Sequence, residues 1–156
     1  MTRILFVCTG NICRSPTAEG VARHVIDTSG LHALVEVDSA GTHGYHVGEA
    51  PDPRTRKAAA RRGYHLDKLV ARRLEIADFQ RFDLLLAMDR GHYESMLRMS
   101  PQVYHPKVDL FMRYARSFDI DEVPDPYYGG ENGFEAVLDM CEDAVDGLFA
   151  SLELGR

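Results

Sequence analysis

Cys8 and Arg14 stand six positions apart in the segment Cys8-Thr9-Gly10-Asn11-Ile12-Cys13-Arg14-Ser15, which closes on a hydroxyl residue. A loop of this length can wrap so that successive backbone N–H groups point inward and form an anion nest at the positive end of a following helix. Gly10 and Asn11 supply the permissive backbone that such a wrap needs. Arg14 adds a planar fork that takes two phosphate oxygens at once, which a lysine does not. Thiols placed beside nests, helix amino termini and guanidinium groups ionise near neutrality. Cys8 therefore reads as a nucleophile, and Thr9, Gly10, Asn11, Ile12, Cys13 and Arg14 as its phosphate cradle.

A thiolate that attacks phosphorus needs a proton donor for the departing oxygen. Asp125 in Pro124-Asp125-Pro126-Tyr127-Tyr128-Gly129-Gly130 is the best candidate. Pro126 keeps Asp125 out of helical backbone, and the glycines close the turn, so the carboxyl is presented on a restricted loop. Taken alone, Asp125 reads better as a turn former, and it is the rest of the constellation that makes it a proton donor. Tyr127 and Tyr128 are either ordinary half-buried aromatics or the walls of a slot for a flat aromatic group. Cys13 is either a loop-packing thiol or a redox partner that forms a reversible disulfide with Cys8. No metal is expected, because His43 and His46 are three apart in a Gly-containing loop with no obvious third ligand.

These residues need elements to hold them. Arg3 to Cys8 is a short apolar run that predicts a strand, and Ser15 and Pro16 are placed as cap and first residue of a helix. Ala18, Val21, Ala22, Val25 and Ile26 fall at helical spacing and Thr28, Ser29 and Gly30 end it, after which Leu34 to Val37 alternates as a second strand. Asp52 and Pro53 open another helix that closes at Gly63. Phe82 to Met88 predicts a buried strand, Gly91 to Met99 a helix, and Lys107 to Phe111 a last short strand. Phe134, Val137, Leu138, Cys141, Val145, Leu148, Phe149 and Leu152 form one apolar stripe of a final helix, with Cys141 as core. The alternation predicts an α/β fold: one three-layer domain over residues 1–156, with a central, mostly parallel four-stranded sheet flanked by helices. The phosphate-binding loop leaves strand one at the carboxyl end, where ligands of such sheets bind.

Composition agrees with one globular domain. The 156 residues carry 18 basic and 24 acidic side chains, net −6, and 45% are hydrophobic, enough for a full core without staples. The charge is polarised: residues 1–73 carry net +4 and residues 74–156 net −10, which sum to −6. Nucleic acid is disfavoured as a partner by overall sign. The longest apolar runs, Ile4 to Cys8 and Leu84 to Met88, are five residues, so no membrane span or secretory leader is expected and the cytoplasm is the expected compartment.

The chain resembles the low-molecular-weight protein tyrosine phosphatases along essentially its whole length. The resemblance rests on Val7-Cys8-Thr9-Gly10-Asn11-Ile12-Cys13-Arg14-Ser15-Pro16, Asp38-Ser39-Ala40-Gly41-Thr42, Phe82-Asp83 through Ala87-Met88-Asp89, and Asp125-Pro126-Tyr127-Tyr128-Gly129. It implies that Cys8 is the nucleophile, Arg14 the phosphate clamp and Asp125 the general acid and base of a metal-independent, cofactor-free reaction through phosphocysteine. It further implies that Ser15 hydrogen-bonds the sulfur, that Asn11 and Ser39 hold the loop, and that Tyr45, Tyr127 and Tyr128 form an aromatic rim. Phosphotyrosine proteins or peptides would be the substrates and inorganic phosphate the product, with a monomer expected and a weak dimer as the alternative. Arsenate reductases of similar fold need mid-chain resolving cysteines, and residues 14 to 140 contain none. The chain departs from the family at Leu69, where many members place a histidine in the loop's support, and at Tyr45, where tryptophan is frequent.

Overall fold

The structure is a computed structural model and describes residues 1–127 and 130–152. Strand β1 (Thr2–Cys8) lies inside a four-stranded, all-parallel sheet, between β2 (Val35–Gly41) and β3 (Leu84–Ala87), with β4 (Val108–Leu110) beyond β3. Its alternating side chains serve two cores, as a period of two requires. Ile4, Phe6 and Cys8 join the layer built by helices α1 (Arg14–Ser29), α2 (Pro53–Arg61) and α5 (Glu131–Ser151). Leu5 and Val7 join the layer that contains Phe79 of α3 (Ile76–Arg81) and Met96 of α4 (Arg90–Met99). The expected three-layer α/β architecture is the observed one, and the sheet is parallel throughout.

The order β2-β1-β3-β4 reverses direction between β1 and β3. Such a switch point opens a crevice beyond the carboxyl ends of the strands, and the Cys8–Ser15 loop leaves β1 there. Gly41, paired with Cys8 in the sheet, packs so tightly against this loop that a Cβ would lie 2.6 Å from the Thr9 carbonyl oxygen.

Several boundaries differ from those expected. Helix α1 begins at Arg14 with Cys13 as its N-cap, not at Pro16. Pro16 is tolerated because a first-turn residue needs no amide donor. Gly30 closes the helix at φ 65°, a left-handed conformation that glycine adopts without a side-chain penalty. Strand β2 runs four residues past Val37, because Asp38 and Ser39 hold strand backbone while their side chains serve other residues. Strands β3 and β4 are shorter than the apolar runs that predicted them. Helix α3 was not anticipated; its start is held by Asp78, whose carboxylate accepts from the Glu75 N–H at 2.8 Å. Helix α2 has the expected start, with Asp52 accepting from the Arg54 N–H at 2.8 Å and Pro53 next. Among the described residues no helix is long and apolar enough to cross a membrane.

Candidate active site

The Cys8–Ser15 loop is held from outside by its carbonyls. Cys8, Thr9 and Ile12 C=O groups accept from the N–H groups of Thr42, His43 and Asp52 at 2.8, 3.0 and 2.9 Å. A trans peptide sets its N–H opposite its carbonyl, so the N–H groups of Thr9, Gly10 and Cys13 are directed the other way, toward the cleft these residues line. Asn11 makes the wrap at φ 59°, the only positive φ of a non-glycine residue in the described chain. Helix α1 has no side-chain cap and no acid in its first turn, so nothing on the helix competes with an anion for its positive end.

Asn11 does not line the cleft; it points inward as a hub. Its Nδ2 donates to Ser15 Oγ at 2.8 Å and to Ser39 Oγ at 2.9 Å, while its Oδ1 accepts from the Arg72 backbone N–H at 3.0 Å. The Arg72 contact fixes the amide orientation, because a main-chain N–H only donates. Ser15 Oγ lies 3.0 Å from Cys8 Sγ. Ser39 passes the chain on, donating to Glu19 Oε1 at 2.6 Å, and Arg23 donates to Glu19 Oε2 at 2.7 Å. Burial pushes the Glu19 carboxyl up, against the pull of Ser39 and Arg23. Leu69 packs partly buried against the core, and the Arg72 main chain supplies the third contact of the Asn11 hub.

Arg14 is almost wholly buried and anchored on three sides. Its Nη1 donates to Asp89 Oδ2 and to the Val123 carbonyl, both at 2.9 Å, and its Nη2 donates to Thr9 Oγ1 at 3.4 Å. Of the five guanidinium N–H groups this leaves Nε–H and one on Nη2 without a hydrogen-bond acceptor among the described residues, the adjacent pair that matches two oxygens of a tetrahedral anion. Asp89 is itself partly buried, which opposes its charge; the His92 N–H, then His92 and Arg14, hold its carboxyl below the usual range.

Asp125 Oδ2 lies 3.8 Å from Arg14 Nη2, and Asp125 Oδ1 accepts from the Tyr127 N–H at 3.0 Å, an Asx turn that fixes the carboxyl on its proline loop. Cys8, Thr9, Gly10, Ile12, Cys13, Arg14, Asp125, Tyr45 and Tyr127 thus line one cleft of about 210 Å³. Tyr45 is 71% exposed at its lip and stacks on His43 with ring centres 5.1 Å apart. Arg54 lies over the Tyr127 ring at 5.3 Å. Tyr128 falls outside the described residues. Burial pushes the Cys13 thiol up to about 12, so it is protonated at neutral pH.

Three residues around this cleft had no assigned role in the sequence reading. His46 lines the cleft against Gly10, and Asp89 and His92 stand behind Arg14. Asp89 was within reach of a sequence argument, since an aspartate that ends an apolar run and opens a helical stretch is an N-cap; its carboxylate accepts from the His92 N–H at 2.9 Å.

Known proteins resemble this chain along nearly its whole length. The profile of the family described as low molecular weight phosphotyrosine protein phosphatase matches residues 3–155. The low molecular weight protein-tyrosine-phosphatase of Streptomyces coelicolor is 49% identical over 96% of this chain and 93% of its own. The low molecular weight phosphotyrosine protein phosphatase of Schizosaccharomyces pombe is 46% identical over 85% of each chain. A crystal structure of a protein tyrosine phosphatase from Entamoeba histolytica, with Hepes in the active site, superposes with a TM-score of 0.95 at 43% identity, covering 99% of both chains. With a matching profile over nearly its full length and relatives close to half identical, the chain belongs to the low molecular weight phosphotyrosine protein phosphatase family.

Proposed function

We propose that the chain hydrolyses phosphotyrosine in proteins or peptides, and simple aryl phosphates, in two steps through a phosphocysteine on Cys8. In the first, the Cys8 thiolate attacks phosphorus in line, the S–P bond forms and the P–O bond to the aryl group breaks. Loop N–H groups and the two remaining Arg14 N–H groups hold the equatorial oxygens. Asp125 gives its proton to the departing oxygen, which as a phenolate would have a conjugate acid pKa near 10. In the second, water attacks phosphorus, Asp125 takes its proton, and Cys8 leaves as thiolate with release of inorganic phosphate. Charge on the transferring group is met by Arg14 and the loop amides, so the reaction is assigned as metal-independent. Tyr45 and Tyr127 form the rim against which the aromatic ring lies.

The observation that carries this reading is the anchoring of Arg14: three protein acceptors fix its guanidinium while a phosphate-gripping pair of N–H groups is left beside Cys8 and Asp125. The test is hydrolysis of an aryl phosphate in the presence of a chelator, with rapid acid quench to trap phosphoenzyme. Wild type is expected to turn over and to yield a phosphorylated cysteine; Cys8→Ser is expected to do neither. Turnover that persists in Cys8→Ser excludes the assignment.

A further inference from the structure

His92 lies in the first turn of α4, with its side chain only 6% exposed. Its Nε2 is 2.7 Å from Thr9 Oγ1, the hydroxyl that accepts Arg14 Nη2–H. Its Nδ1 is 3.1 Å from Asp89 Oδ1 but makes no aligned hydrogen bond. Asp89 in turn holds Arg14 Nη1. Arg14, Asp89, His92 and Thr9 therefore form a closed ring of four side chains, with Arg14 and Thr9 on the cleft wall and Asp89 and His92 behind them.

The ring decides which nitrogen of His92 carries the proton. Burial and the neighbouring Arg14 push the imidazole down to about 4, so near neutrality it is uncharged with one N–H. A lone pair on Nδ1 would face a carboxylate oxygen, whereas an Nδ1–H facing it is attractive even off line. Nε2 is then the acceptor, and the Thr9 hydroxyl proton points to it. That leaves the Thr9 oxygen's lone pairs turned toward Arg14.

We propose that His92 is a positioning residue for phosphate binding: by taking the Thr9 hydroxyl proton it fixes Thr9 as an acceptor for Arg14 Nη2, and so aims the guanidinium edge that grips the anion. The proposal rests on reading Arg14 as the phosphate clamp. His92 touches no substrate, and its effect passes through Thr9.

Two measurements test it. A long-range proton–nitrogen NMR spectrum of the wild-type protein at neutral pH reads the tautomer directly and requires no turnover; Nδ1–H with an unprotonated Nε2 is expected, and protonation on Nε2 overturns the proposal. The second is the affinity for inorganic phosphate by calorimetry, with kcat/KM for two aryl phosphates of different leaving-group acidity. Thr9→Val and His92→Phe are each expected to weaken phosphate binding about tenfold, the scale of one hydrogen bond to a charged group's anchor. Each should lower kcat/KM by the same factor for both leaving groups. The double variant is expected to match either single one, because both break one path, and His92→Gln, whose amide oxygen reaches the Nε2 position, to recover most of the loss. Losses that multiply to about a hundredfold in the double variant, or a His92→Phe protein that binds phosphate as wild type does, would sink the assignment. If no aryl phosphate is hydrolysed but phosphate affinity shows this coupling, the catalytic reading fails and the role of His92 stands.

Discussion

Ser15 Oγ lies 3.0 Å from Cys8 Sγ and accepts from Asn11 Nδ2 at 2.8 Å, so the Ser15 hydroxyl proton is left to point at the sulfur. The hydroxyl is thus oriented as a donor before any substrate arrives. A donor to sulfur stabilises the thiolate, which in the proposed reaction is the attacking group of the first step and the leaving group of the second.

Ser15→Ala should therefore slow dephosphorylation of the enzyme by about tenfold or more, the scale of a hydrogen bond to a charged partner. Phosphoenzyme should accumulate, seen in rapid-quench experiments as a larger burst of released phenol. An unchanged burst with slower turnover would place the effect on the first step instead.

Asp125 gives a prediction of a different shape. Its carboxyl is held on a proline loop at the cleft and is 43% exposed, open to the water that the proposed second step needs. Asp125→Asn should lower kcat for phenyl phosphate by about 10²- to 10⁴-fold. For a nitro-substituted phenyl phosphate, whose leaving group departs without help, phosphoenzyme formation should fall far less. Equal losses for both substrates would remove Asp125 from the acid role.

Two glycines separate effects on the fold from effects on the site. A Cβ at Gly147 would lie 1.9 Å from the Tyr114 carbonyl oxygen, where α5 crosses a 3-10 turn, and neither residue lines the cleft. A Cβ at Gly41 would press on the Thr9 carbonyl at 2.6 Å and the Gly10 carbonyl carbon at 3.1 Å, both within the Cys8–Ser15 loop. Each alanine should cost about 1–3 kcal/mol in urea unfolding, the usual range for overpacking. Gly147→Ala should keep its kcat/KM when folded, while Gly41→Ala should lose phosphate affinity as well. Wild-type affinity in folded Gly41→Ala would show that the loop absorbs the clash.

Much of this arrangement was legible in the chain itself. The run from Arg3 to Cys8 followed by a Gly-Asn loop and an apolar helical spacing located β1, the loop and α1, because periodicity and turn chemistry are local. The α5 stripe was legible for the same reason. What stayed hidden is carried by long-range or main-chain partners. Arg14 meets Asp89 across 75 positions and Thr9 meets His92 across 83, and neither leaves a periodic trace. Leu69 read as a gap in the loop's support because the donor that completes Asn11 is the Arg72 backbone, which any residue type supplies. Polar Asp38 and Ser39 masked the end of β2, since their side chains are used by Arg72 and Glu19 and not by strand alternation.

His92 also sets a pH dependence of stability. Its folded pKa of about 4 lies below the ordinary 6.5 because the buried ring would have to charge beside Arg14, with His43 adding a smaller penalty and Asp89 and Asp125 opposing it. Between these values the unfolded chain binds a proton that the folded one refuses, so the stabilisation is full above pH 6.5 and is lost as pH falls toward 4. The interval corresponds to roughly 3 kcal/mol. Glu19 works in the opposite direction, since its raised pKa lets the folded state take up a proton first as pH falls, and Asp89 loses stability only below the ordinary carboxylate range. A comparison with His92→Gln isolates the imidazole. Urea unfolding from pH 7 to pH 4 should show wild type losing about 3 kcal/mol more than the variant. Equal losses would mean that the ring takes its proton in the native protein as readily as in the unfolded chain.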